Sequence, residues 1–239
     1  MSSIVYCGHD FADWCRADLV ERAACAVVAD AYEVPGRAGV LLVSGFVPPM
    51  DVRVRLFLDI GMKGDMMRLA DARHQLRAWL TVPEGGTLVL PDDPEVEYRD
   101  ALLTCCSDWD SLFEGGSCEL TFTLFDPVAW GKRRCETGEA FDVGGSRETL
   151  PCFSLVAEAG AAVQVDDLLG ERFLRIERTF LGGEYVAIDC AKELVQVDGL
   201  DARVDVTLGS DFFALDPGYA LLSYTGCSAH DCYFFERWA

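Results

Sequence analysis

The sequence predicts a mostly β fold with one main helix. Val52, Val54, Leu56, Leu58 and Ile60 alternate with Arg53, Arg55, Phe57 and Asp59, the period of two that a half-buried strand requires. Leu120, Phe122 and Leu124 alternate with Thr121 and Thr123 in the same way. Helical spacing is clear in one stretch, residues 65–80, where Met66, Leu69, Leu76 and Leu80 recur with Ala70 and Trp79 beside them. The 239 residues are 51% hydrophobic and 11% aromatic, enough to bury one large core or two small ones.

Each element follows from local chemistry. Residues 15–28 are Ala-rich and fit a weak second helix or a strand. Residues 39–43 and 51–60 are strand candidates. Gly64 and Asp65 start the helix near 65–80, because the Asp65 side chain can accept from free N–H groups of the first turn; Pro83 and Gly85–Gly86 stop it. Shorter strands are expected at 87–90, 173–176, 185–188, 194–197, 202–208 and 219–224, bounded by Gly, Pro or Asp. Residues 130–146 (WGKRRCETGEAFDVGGS) are polar, Gly-rich and without alternation, which reads as a linker or crossing loop. Two domains are expected, 1–135 with the helix and 136–239.

Charge is lopsided: 40 Asp and Glu stand against 20 Lys and Arg, a formal net charge of −20. The summed field repels nucleic acid and anionic membranes, and the densest basic cluster is only Lys132, Arg133 and Arg134. Sequence-specific nucleic-acid binding and membrane binding are therefore not expected. The longest apolar runs fall well short of the roughly 20 residues that span a bilayer. The opening MSSIVYCGHDF has no basic start followed by an apolar run, so synthesis in a cytoplasm is expected. The 11 Cys are accordingly read as small apolar filler, not as a disulfide framework.

No constellation carries catalysis. Cys227, His230 and Cys232 offer three soft ligands within six residues, but the spacing lacks a fourth ligand and the usual pairs. With Tyr233, Phe234 and Phe235 following, the segment reads as a buried terminal strand. Asp92–Asp93, Asp166–Asp167, and Asp108 with Asp110 lie in turn-like contexts, where Asp bonds its own backbone. No nucleophile elbow, Walker loop or dinucleotide fingerprint occurs. No catalytic residue, metal ligand or cofactor is assigned. Trp79, Trp109, Trp130 and Trp238 near element ends suit core or interface packing, and exposed aromatics could also stack on sugar rings.

Nine short segments, in order, resemble the phage distal tail protein family, the tail-tip hub component of siphophages and prophages. CGHDFADW looks like its opening Gly-x-Asp-Phe strand, and EVPGRAGVLL is similar to its Val-Pro-Gly-Arg-x-Gly turn leading into a strand. Residues 51–60, the helix MMRLADARHQLRAWL and TLVLPDDPEVEYRDALL fit the next block, and LTFTLFDPVAWG resembles the end of the first domain. In the second half, GSRETLPCFSL, YVAIDCAKELVQVDG, SDFFALDPGYALLSYTG and the closing ERWA match in turn. The chain departs from the family pattern at Tyr219, where Asn is frequent, and in its cysteine content.

The resemblance implies a tail-tube-related N-terminal β domain that assembles into a ring, followed by a galectin-like β-sandwich. It implies a structural virion protein, not an enzyme. Its partners would be five further copies in a homohexamer, a tail-tube protein, a tail-associated tip protein and a receptor-binding protein, around a channel that only passes DNA. Location would be the virion tail tip. The subunit-contact candidates are Val34, Pro35, Gly36, Arg37 and Gly39, because Pro35 stiffens the turn, Gly36 permits positive φ, and Arg37 can pair with a neighbour's carboxylate. The alternative is a carbohydrate-binding host-adhesion module that uses Tyr185, Tyr219 or Tyr224.

Overall fold

A computed structural model describes residues 3–24, 27–59 and 65–239. Ile60 at the end of the expected strand 51–60, Gly64 at the helix start, and residues 25–26 inside the stretch 15–28 lie outside the described residues. The chain divides into two compact units, Met1–Trp130 and Gly131–Trp238. Both are mostly β, and the main helix lies in the first.

In chain order the first unit comprises β1 (Val5–Tyr6), β2 (His9–Asp10), β3 (Cys15–Arg22), β4 (Val28–Glu33), β5 (Val40–Phe46), β6 (Met50–Leu58), α1 (Met66–Leu80), β7 (Gly86–Leu90), β8 (Asp93–Ser107), α2 (Trp109–Glu114) and β9 (Ser117–Leu124), then the start of β10 (Ala129–Glu136). Its main sheet is antiparallel in the order β3-β6-β9-β8-β7-β1-β2. The alternation in β6 and β9 sorts as expected: Val52, Val54, Leu56, Leu120, Phe122 and Leu124 point into the core. Each such burial stabilises by about 1.5–3 kcal/mol. On the wet face, the partners between them are charged, and Arg55 pairs with Glu119 directly across the strands while Arg53 pairs with Glu21. Strand β8 is long because it changes partner. Asp100 takes φ 54°, and the strand leaves β7 for β9 at that point. The Tyr6 hydroxyl donates to the Ala101 carbonyl at 3.2 Å beside the bend.

Helix α1 starts where Asp65 accepts from the N–H groups of Met67 and Arg68, at 3.2 and 3.1 Å. It buries only Ala72, Leu76 and Leu80. Three readings change here. Residues 15–22 are strand β3, not helix, with Cys15 and Ala17 inward against β6. Residues 109–114 form a short second helix. Residues 130–146 are not a loop, because β10 and β11 (Ala140–Val143) occupy most of them.

The second unit continues from β10 and β11 through β12 (Cys152–Ala157), β13 (Gly160–Asp167), β14 (Arg172–Phe180), β15 (Tyr185–Asp189), β16 (Leu194–Val197), β17 (Leu200–Asp201), β18 (Gly218–Thr225) and β19 (Cys227–Trp238). One sheet has the order β17-β16-β15-β12-β19-β10, the other β11-β18-β13-β14. Their inner faces share one core, with Phe141 stacked on Phe234 at 5.6 Å and Phe153 against Phe213 at 5.8 Å. This is a β-sandwich. The expected strand at 202–208 is absent: Arg203–Asp205 is a turn of 3-10 helix, and Val204 and Leu208 are exposed.

Candidate assembly surface

Strands β4 and β5 pair only with each other, as a separate two-stranded sheet within the first unit. Every residue of β4 is exposed, and in β5 only Leu41 is half-buried. An isolated hairpin of this kind is marginally stable in water. Its composition is unlike a solvated one. Val27, Val28, Tyr32, Val40, Leu42, Val43 and Phe46 are each more than 40% exposed.

The pairing register sorts these side chains onto both faces. Val28 opposes Phe46 and Tyr32 opposes Leu41 on one face. Ala31 opposes Leu42 and Glu33 opposes Val40 on the other, with a bulge between Asp30 and Ala31. The hairpin thus exposes apolar side chains on both of its faces.

The five subunit-contact candidates sit together at the tip that joins β4 to β5. The Arg37 N–H donates to the Val34 carbonyl at 3.1 Å, which closes the turn around Pro35. Gly36 and Gly39 take φ of 83° and 80°, in the left-handed region that Gly enters without strain. No atom lies within 4 Å of where a Cβ would stand at either, so the turn projects into open space. The arginines show a second feature. Arg16, Arg22, Arg53, Arg55, Arg73 and Arg99 of this unit pair with carboxylates. Among the described residues, Arg37 makes no ion pair, nor do Arg68 and Arg77 on α1. Sequence reasoning found the tip but missed the strand β4 and the apolar arm behind it. The signal was present in the exposed-looking run VADAYE facing VLLVSGF.

The other constellations resolve into packing. Arg172 and Asp167 bond each other, Arg22 pairs with Asp92, and Arg73 pairs with Asp110. Asp108 accepts from the Ser111 hydroxyl. His230 stacks on Tyr224 with centroids 3.9 Å apart, in the pairing stretch where Leu155 faces His230 and Phe153 faces Cys232. Burial pushes the thiols of Cys227 and Cys232 up, away from the thiolate a metal needs. The three tyrosines do not form one platform. Tyr224 turns inward against Phe153, and burial raises its hydroxyl far above the ordinary range. Tyr185 is on β15 of one sheet and Tyr219 on β18 of the other, both outward. Trp130 is held by its own unit, with its indole N–H donating to Asp126 at 3.1 Å and Arg99 over its ring at 3.9 Å.

Known proteins resemble this chain in two ways. Residues 144–238 match the family model described as siphovirus-type tail component, C-terminal domain. The whole chain has the fold of the crystal structure of the SPP1 Dit (gp 19.1) protein, described as a paradigm of the hub adsorption apparatus in phages that infect Gram-positive hosts. The TM-score is 0.79 at 18% identity, over 99% of each chain. Two structures of the phage p2 baseplate in its activated conformation, with Ca and with Sr, match over 92% of this chain and 90% of theirs. Their TM-scores are 0.46, at 7% and 8% identity. No curated protein matches the sequence. The family-model match falls on the second half of the chain, where four of the nine segments that resemble the distal tail family lie, and over the whole chain the likeness is one of fold.

Proposed function

We propose that this chain is a structural hub protein of a siphovirus-type phage tail, which closes into a hexameric ring at the tail tip. The ring joins the last tail-tube ring to the tail-associated tip protein and the receptor-binding apparatus. The observation that carries this reading is the exposed β4–β5 hairpin, whose two apolar faces need partners, on a chain that shares the SPP1 Dit fold from end to end. A ring needs heterologous contacts that close, so each copy must offer a protruding feature and a receiving one. Val34, Pro35, Gly36, Arg37 and Gly39 at the hairpin tip are the contact candidates.

The role is mechanical, with no enzymatic step. A channel that passes DNA without holding it should be neutral or acidic, because Lys and Arg contacts to phosphate drive non-specific binding. The net charge of −20 supports that and keeps free subunits apart before assembly. Domain 136–239 would be the peripheral part and domain 1–135 would carry the ring. The test is the mass of the full chain in solution by light scattering, with negative-stain images. Six times the 26.3 kDa of one chain, seen as rings, is the expected result. A monomer at every concentration and in the presence of tail-tube protein overturns the reading.

A further inference from the structure

Ten cysteines are described, and all are free thiols. Two of them meet. In the β8–β9 pairing Cys106 opposes Leu120 and Ser107 opposes Glu119. Side chains two apart on a strand share a face, so Cys106 and Cys118 both stand on the face of the inward Leu120. Across that diagonal the Cys118 thiol donates to the Cys106 sulfur. Cys105, next in the chain, opposes Thr121 and points to the other face.

The two thiols differ in access. Cys118 is only 5% exposed. Cys106 is half-buried and forms part of the wall of an open recess of about 360 Å³ between β8 and the last turn of α1. Leu80, Leu103 and Trp109 make the recess apolar, and Arg77, which makes no ion pair among the described residues, brings a positive charge to it. An opening of this size and charge suits a small molecule that carries a carboxylate. Proton affinity sets the same order. Burial pushes both thiols up, Cys118 much further, and the bond from Cys118 draws Cys106 part of the way back. Cys106 is therefore the first of the two to become the thiolate that attacks a disulfide.

We infer that Cys106 and Cys118 form a latent dithiol, which a small anionic disulfide of the glutathione class oxidises to a bond tying β8 to β9. The Cys106 thiolate attacks one sulfur of the oxidant, whose S–S bond breaks as a mixed disulfide forms and one glutathione leaves. Cys118 then gives its proton to solvent and attacks the Cys106 sulfur. The mixed disulfide breaks, and the second glutathione leaves. Two electrons pass from the protein pair to the oxidant, and the two leaving sulfurs take up the two protons that the pair gave up. The new bond closes the loop that carries α2, residues 106–118. This chemistry is independent of the hub reading.

Peptide mapping of the full chain tests it. The reduced chain, freed of reductant, is incubated with oxidised glutathione, quenched in acid, alkylated and cleaved after glutamate. Residues 98–114 hold Cys105 and Cys106, and residues 115–119 hold Cys118. The two peptides should appear as one species that reductant separates. Its rate of formation should rise about tenfold from pH 7 to pH 8, as the thiolate fraction does below a raised pKa. Cys105→Ser should keep the bridge and Cys106→Ser should abolish it. Neither side chain is fully buried, and an unchanged circular dichroism spectrum confirms that the fold persists. A glutathione adduct that persists on Cys106, a bridge that survives Cys106→Ser, or separate peptides after prolonged oxidation at pH 8 overturns the pairing.

Discussion

Arg172 grips Asp167 end to end: its Nη2 lies 2.7 Å and its Nε 3.1 Å from one carboxylate oxygen. The other oxygen accepts from the N–H groups of Leu169 and Gly170, at 3.3 and 3.1 Å. Asp167 is one of two buried polar residues among those described, only 5% exposed, so the carboxylate end of all four bonds is shielded from water. They hold the turn between β13 and β14.

Asp167→Asn should therefore cost about 2–3 kcal/mol in denaturant unfolding, because it removes the charge that Arg172 and two backbone donors face. Arg172→Lys should cost less but not recover the loss, since an ammonium cannot make the fork. A change below about 0.5 kcal/mol for Asp167→Asn would show that the turn does not depend on the pair.

Thiol chemistry should split along burial. Burial, aided by the Asp59 carboxylate, pushes Cys15 up to about 12, and burial beside Cys152 does the same for Cys190. Neither holds appreciable thiolate near pH 8. Cys105 and Cys135 are exposed. Under native conditions iodoacetamide should, among the described cysteines, label Cys105 and Cys135 first, and reach Cys15 and Cys190 only on unfolding. The ten described cysteines are free thiols, so reductant should leave the melting temperature unchanged. Early labelling of Cys190, read by peptide mass, contradicts the packing given for the sandwich core.

Glu184 accepts from the backbone N–H groups of Leu181 and Gly182, both at 2.7 Å, and the bond from Leu181 leads in holding its carboxyl below the ordinary 4.5. A group whose folded value is depressed binds fewer protons folded than unfolded. Its contribution is present above the unfolded value and disappears as pH falls through the folded one. Glu184→Gln should thus lower stability at neutral pH, and the difference from wild type should shrink steadily below about pH 4. A difference that is constant from neutral to acid pH, measured by urea titration, would rule out the carboxylate as the cause.

What could be read from the sequence depended on which faces are wet. Strands β6 and β9 announce themselves because one face is core and the other carries Arg53, Arg55, Thr121 and Thr123. Helix α1 is marked by the Asp65 cap. Strand β10 was hidden because the exposed Lys132, Arg133 and Arg134 follow one another without alternation and make it look like a loop. The stretch 202–208 misled in the opposite sense, since Val204 and Leu208 alternate like a strand yet lie on the surface. Strand β4 went unread because VADAYE puts apolar residues on both faces, so no alternation betrays it. That same property is what makes the hairpin the assembly candidate.

Proteolysis tests the hairpin against the segment the sequence marked as a linker. A protease needs a stretch of backbone that opens locally, and opening is easiest where few contacts cross. Residues 132–134 offer three basic sites, but they lie in β10, hydrogen-bonded to β19. Arg37 lies at the tip of a hairpin held only by its own pairing, with both strands exposed. Limited trypsin digestion of the free chain should cut first after Arg37, and only later after Lys132, Arg133 or Arg134. When the chain is concentrated enough to assemble, the first cut should slow sharply while the later ones keep their rate. The reason is that burial of the hairpin by a neighbour raises the cost of opening it and leaves β10 as it was. Mass spectrometry of the early fragments decides the order. A first cleavage at residues 132–134 would return that segment to the status of a linker, and unchanged cutting after Arg37 in the assembled state would remove the hairpin from the interface.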